Sequence, residues 1–423
     1  MKSDLFVEKA YQQAHERYLE LGVNTVEVLN WMHHVVLSIP CWQADDVQGF
    51  EFTAGGASGG MQVTGNYPGR ARNLEELQSD LELVLELVPG RHRINIHSIY
   101  GDFGGQPVER TDFSSRHFVA WIDWARQVKT CLDFNSTCFN HPKAASGLTL
   151  SHPDADIRKY WIRHVQACRG IAADLGQAQG EPCFHNLWIP DGSKDLPVAR
   201  LHLRERLRES LDEIFSVSYP AGQMKDSVES KLFGIGSEAM TVGSHEFYLA
   251  YALQKNLMIC LDNGHFHPTE LVGDKISSLL PFTTELMLHL TRGIHWDSDH
   301  VVTLNDDVQF IAHEVVRSGA LDRVHLGLDF FDASINRTGA LVTGSRAVLK
   351  AFLFALLEPL DQLTSLENEG RNFERLALLE EMKTMPFGAV WDYFCLMGDA
   401  PHGTGYIREI QQYEKVVLSG RIG

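Results

Sequence analysis

The feature that most constrains this chain is an alternation. Short apolar, β-prone runs recur between residues 35 and 330, separated by segments with helical periodicity. Eight such runs stand out: VVLSIPCW (35–42), RINIHSIY (93–100), CLDFNST (131–137), CFHNLWI (183–189), VESKLFGIG (228–236), LMICLDNG (257–264), LMLHLT (286–291) and VHLGLDF (324–330). Between them, NLEELQSDLELVLELV and SSRHFVAWIDWARQV read as helices. Strands alternating with helices imply a parallel sheet. Eight βα units over about 300 residues predict a closed (β/α)8 TIM barrel of the α/β class rather than an open doubly wound sheet.

The seventh unit is ambiguous, because GIHWDSD competes with LMLHLT for its strand. The first connection is unusually long and carries the glycine-rich stretch FTAGGASGGMQVTGNYPG, which reads either as a linker or as a mobile cover over a site. Beyond residue 345 the strand signal stops, and RAVLKAFLFALLEPLDQL and NFERLALLEEMKTM read as helices. The expected organisation is an N-terminal helical segment (1–34), a barrel (35–345) and a C-terminal helical extension suited to subunit contacts (346–423).

Composition narrows the partners. The 37 basic and 55 acidic residues give a formal charge of −18, which opposes nucleic acid and anionic lipid and suits a cation and a neutral small molecule. The first twenty residues mix charge with apolar positions, unlike a signal peptide. No window approaches the roughly 18 to 20 uncharged apolar residues of a membrane span. The seven cysteines are odd in number and scattered, as expected for reduced core thiols in a cytoplasmic protein.

In a barrel of this kind, chemistry belongs at the C-terminal strand ends. Those ends offer Cys41, Trp42 and Gln43, then His97, Asp133 and Asn135, then Trp188 and Asp191. The later runs add Glu229, Lys231, Asp262, His265, His289, Asp297, Asp299 and Asp329. Taken singly, Asp133, Asp191 or Asp329 reads as a turn or helix cap, a lone His97 or His289 as a core histidine, and Lys231 as a salt-bridge partner. Taken together, so many carboxylates need compensation that one lysine cannot supply. Two divalent cations answer that need, and the carboxylate and imidazole donors suit manganese, magnesium, cobalt or zinc. WDSDH, with two aspartates one residue apart, then reads as a cation-holding segment.

The runs CWQADDVQGFE, TGNYPG, LDFN, SHPD, WIPDG, ESKLFGIG, LDNGHFHPTE, WDSDHVV and GLDFFDASINR resemble the L-rhamnose isomerase family over nearly the whole chain. The resemblance implies a TIM barrel with added helices, two divalent ions (manganese foremost) and a tetramer. It also implies reversible aldose–ketose conversion of L-rhamnose and L-rhamnulose by a metal-assisted hydride shift. Glu229, Asp262, His289 and Asp329 match the ligands of one metal, and His265, Asp297 and Asp299 those of the second, with Asp262 close to both. Lys231, His97, Trp188 and Phe331 match the sugar pocket, with Lys231 beside the developing alkoxide and Asp329 near the water that shuttles the proton. The resemblance makes LMLHLT the seventh strand and WDSDH its loop. Pro40 and His295 depart from the family pattern, where a histidine and an arginine are expected.

The rival readings are a one-metal ketose epimerase, a metal-dependent phosphoesterase and a sugar-binding structural protein. The second ligand set opposes the first, the scarcity of basic residues near the strand ends opposes the second, and a metal-coordinating mouth is surplus to the third.

Overall fold

The computed structural model describes residues 2–51, 63–231, 239–295 and 297–421. Most of the glycine-rich stretch therefore lies outside the described residues. Eight parallel strands close a barrel in strict chain order: β1 (Leu37–Pro40), β2 (Arg93–His97), β3 (Cys131–Asn135), β4 (Cys183–Trp188), β5 (Met224–Glu229), β6 (Met258–Asp262), β7 (Leu286–Leu290) and β8 (Val324–Leu328). The strands are buried between the barrel interior and the surrounding helices, which is why they read as apolar runs rather than alternating ones. Asn73 caps the Leu74–Leu87 helix by accepting from Glu76 N, and Leu77, Leu81 and Val84 face inward at helical spacing.

Seven strands fall within their expected runs, and the fifth is displaced. It begins at Met224, and only Val228 and Glu229 of the expected run belong to it. The polar residues Lys225 and Asp226 hide its start. They are accommodated because Glu285 receives Lys225 at 2.6 Å, while Arg169 and His185 bind Asp226 at 2.8 and 2.9 Å. LMLHLT does supply the seventh strand. WDSDH is more than a loop, since Asp297–His300 pairs antiparallel with Arg292–Ile294 in a small hairpin above the barrel.

The helix Arg337–Leu356 runs through the division drawn after residue 345, and Leu360–Asn368 starts beyond a break at Pro359. Arg337–Leu356 is long and apolar enough to cross a membrane, contrary to the sequence expectation. Its apolar window is 72% buried inside the protein, the mark of a core helix. The N-terminal helix Lys2–Leu19 packs on Phe387–Met397, with Tyr11 stacked on Tyr393 at 3.9 Å.

The last described residues reach back to the first βα connection. Buried Arg421 binds Asp80 at 2.7 Å and donates to the Gly69 carbonyl, while Glu414 accepts from Tyr67 and Asn336. Tyr67 N in turn donates to Ala333 O at 2.7 Å. Gly65 makes this approach feasible: its φ is +115°, and a Cβ there would lie 2.4 Å from the Ala333 backbone. Residues 65–71 are thus pinned beside the mouth.

Candidate metal centre at the barrel mouth

Strand register brings the predicted carboxylates and imidazoles together. Asp262 pairs with His289, and His289 with Gly327, so three adjacent strands end at one level. A Cβ on Gly327 would lie 2.8 Å from His289 Cδ2, so the missing side chain is the space the imidazole occupies. Asp329 follows two residues later, its nitrogen bonded to Leu290 O at 3.1 Å.

Two overlapping donor sets result. In Glu229, Asp262, His289 and Asp329, one donor atom from each lies within 4.8 Å of all the others; the same holds for Asp262, His265 and Asp299. Asp262 belongs to both. The Asp297 side chain, expected in the second set, lies outside the described residues. Asp299 sits at φ +68°, an uncommon backbone conformation for a side chain other than glycine, and its carbonyl accepts from Phe331 N at 3.1 Å.

The donors are oriented by neighbours. His265 Nδ1 donates to Ser230 O at 2.9 Å, which leaves its Nε2 as the lone-pair nitrogen. Asn186 donates to Glu229 Oε2, and Ser227 in turn donates to Asn186 at 2.7 Å. Gly264 N holds Asp262 Oδ1 at 2.6 Å. Trp42 Nε1 holds Asp329 Oδ1 at 3.1 Å.

Other groups at the same level are left open. Glu229 Oε1, Asp262 Oδ2 and both ring nitrogens of His289 are buried without a hydrogen-bond partner among the described residues. His289 Nδ1 lies between two carboxylates, 3.2 Å from Glu229 and 3.3 Å from Asp329. Buried carboxylate oxygens and imidazole nitrogens left without well-formed hydrogen bonds are costly unless something compensates them, and their chemistry and clustering fit a divalent metal.

The protonation balance points the same way. Burial, together with the nearby carboxylates Glu229, Asp329 and Asp299, pushes Asp262 well above the usual carboxylate range. Burial also opposes charge on Glu229, but His289 and His265 overcome it and hold that carboxyl low. Against its own burial, His265 is raised to about 10 by Asp262 and Glu229. The cluster holds protons where a bound cation would replace them.

Around it stands an aromatic wall. His97 meets Trp42 edge-on at 4.8 Å and Phe139 at 5.5 Å, and Phe139 meets Trp188 at 5.7 Å. His97 bonds Thr137, and burial drives its pKa down to about 3. Lys231 donates to Pro190 O at 3.0 Å. Gln43 clasps the Asp332 backbone through both N and O, closing the mouth between β1 and β8. Phe139, four residues beyond β3, and Asn186, inside β4, belong to no local motif that the sequence alone would mark as functional. Asp133 and Asp191 stay out of the donor sets, and neither is the turn or helix cap that a single aspartate suggests, since both are held by groups from elsewhere in the chain. Arg93 and Ser38 bind Asp133, while Thr149 and Ser151 bind Asp191 through backbone and hydroxyl groups.

A closed (β/α)8 barrel that gathers two overlapping carboxylate–imidazole sets at the C-terminal ends of its strands defines a metal-dependent barrel enzyme. A family model described as L-rhamnose isomerase (RhaA) matches residues 5–421. The L-rhamnose isomerase of Rhodopirellula baltica is 55% identical over 98% of this chain and 97% of that protein; that of Bacteroides thetaiotaomicron is 53% identical over the whole of both. The chain belongs to the L-rhamnose isomerase family.

Proposed function

We propose that this chain interconverts L-rhamnose and L-rhamnulose by a metal-assisted hydride shift between C2 and C1 of the open-chain sugar, in L-rhamnose catabolism. The observation that carries the reading is the pair of donor sets sharing Asp262 at the mouth of a barrel in this family. Two divalent ions, manganese foremost with zinc, cobalt or magnesium as substitutes, supply Lewis-acid polarisation of the sugar's carbonyl and hydroxyl oxygens. Glu229, Asp262, His289 and Asp329 hold one, and His265, Asp297 and Asp299 hold the other.

The chain's own groups do the rest. Trp42 orients Asp329, which holds the water that carries the proton between O2 and O1. Lys231 stands as a fixed donor beside the developing alkoxide, its ammonium already oriented by Pro190 O. His97, Trp188 and Phe331 bind the sugar, and the aromatic wall packs its apolar face, including the methyl of a 6-deoxy sugar. The reading further places the enzyme in the cytoplasm as a homotetramer, with segment 346–423 beyond the barrel supplying subunit contacts. Exposed Phe373 and Leu376 on its Asn372–Met382 helix support such contacts.

The test is L-rhamnose isomerisation by chelator-treated protein resupplied with manganese, run beside Asp262→Asn. Manganese-dependent ketose formation lost in the variant is the expected result. Undiminished turnover in Asp262→Asn overturns the assignment.

A further inference from the structure

One layer below the carboxylates lies a thiol that the isomerisation does not use. Cys260 precedes Asp262 by two residues on β6, so both side chains point to the same face of the strand. Cys260 is 1% exposed, and its Sγ, a Glu229 carboxylate oxygen and a His289 ring nitrogen lie within 4.8 Å of one another. All seven cysteines are free and buried, and among the described residues only Cys260 joins such a set. The second observation is the incompletely satisfied polar atoms around it: Glu229 Oε1 and both His289 nitrogens are buried and make no well-formed hydrogen bond, with only longer ion-pair contacts to His265, Glu229 and Asp329.

We propose that Glu229, Cys260 and His289 form an alternative seat for a thiophilic divalent cation such as Cd2+, deeper in the barrel than the carboxylate seat and exclusive of it. The inference rests on the metal reading of the mouth and deepens it. Glu229 and His289 belong to both seats, so a single ion takes one or the other. A hard ion keeps the oxygens of Asp262 and Asp329. A soft ion exchanges those oxygens for sulfur. In that exchange the Sγ–H bond breaks, a metal–sulfur bond forms and the proton leaves to buffer. A cation drawn down to Cys260 sits farther from the sugar, so Cys260 makes the enzyme sensitive to soft metals and discriminates among the ions offered to it.

The probe is Cd2+ alone, titrated into chelator-treated full-length protein while its ultraviolet sulfur-to-cadmium charge-transfer absorption is followed and uptake is measured by equilibrium dialysis. The expected result is a saturating band, present in Cys131→Ser, absent from Cys260→Ser, and accompanied in the latter by a Cd2+ Kd weakened about tenfold or more. Mn2+ binding by Cys260→Ser, read by electron paramagnetic resonance, verifies that the variant keeps a folded mouth. If that variant fails to fold, the cadmium NMR resonance of the unmutated protein decides between sulfur and all-oxygen/nitrogen ligation. Uptake without sulfur ligation overturns the thiolate seat and leaves the isomerase reading standing. No uptake of either Cd2+ or Mn2+ overturns both.

Discussion

The indole nitrogen of Trp42 donates to Oδ1 of Asp329 across 3.1 Å, joining the end of the first barrel strand to the end of the last. That bond leaves the other carboxylate oxygen, 3.3 Å from His289 Nδ1, facing the metal centre. Trp42→Phe keeps the aromatic bulk and removes the donor. A hydrogen bond to a charged group contributes about 1.5–3 kcal/mol, so kcat for L-rhamnose is expected to fall about 10- to 100-fold. Steady-state kinetics with saturating manganese check this, and an unchanged kcat removes Trp42 from the account.

Gly327 is the space in which His289 lies. Gly327→Ala should displace the imidazole, weaken Mn2+ binding at least severalfold and cost about 1–3 kcal/mol through overpacking. Isothermal titration with Mn2+ and thermal unfolding report the two effects separately. A variant with native Mn2+ affinity would show that the ring has another place to go.

The pH prediction concerns the opposite end of the barrel. Bonds from His325 and Lys225 outweigh partial burial and lower the Glu285 carboxyl to about 2. A carboxyl depressed in the folded state stabilises above its unfolded value of about 4.3 and loses that contribution as pH falls toward 2. Glu285→Gln should therefore lower Tm at neutral pH and bring a shallower loss of stability than the parent between about pH 4.5 and 2. Parallel unfolding curves for the two proteins across that window would contradict the assignment.

Arg421 and Asp80 form a buried pair, each about 3% exposed, that anchors the stretch before the Leu74–Leu87 helix. Removing one partner of such a pair costs about 3–5 kcal/mol. Arg421→Ala is expected to lower Tm and to speed amide exchange at Tyr67 and Ala71, whose nitrogens bond Ala333 and Ala44. Hydrogen-exchange mass spectrometry with protection unchanged there would show that the pinning lies elsewhere.

Much of this was readable in the chain because barrel strands buried on both faces leave continuous apolar runs. Asp262 and His265 leave one strand end three residues apart, a local signal. The tie of Trp42 to Asp329 and the notch at Gly327 are not local, since they depend on which strands become neighbours and in what register. The start of β5 was hidden for a related reason: Lys225 and Asp226 look like loop residues until Glu285, Arg169 and His185, from other parts of the chain, neutralise them.

At the N-terminal ends of the strands the charges are closed into pairs, Arg93 with Asp133 beside a cavity of about 240 Å³, and Arg169 with Asp226 and Lys225 with Glu285 beside a second of about 450 Å³. At the other end, buried donors and acceptors are left open. Heat tolerance and turnover are therefore adjustable at opposite ends of the same eight strands. A descendant lineage, or a protein engineer, can move the enzyme to a hotter or more acidic setting by rewriting the lower rim while the chemistry above is inherited intact.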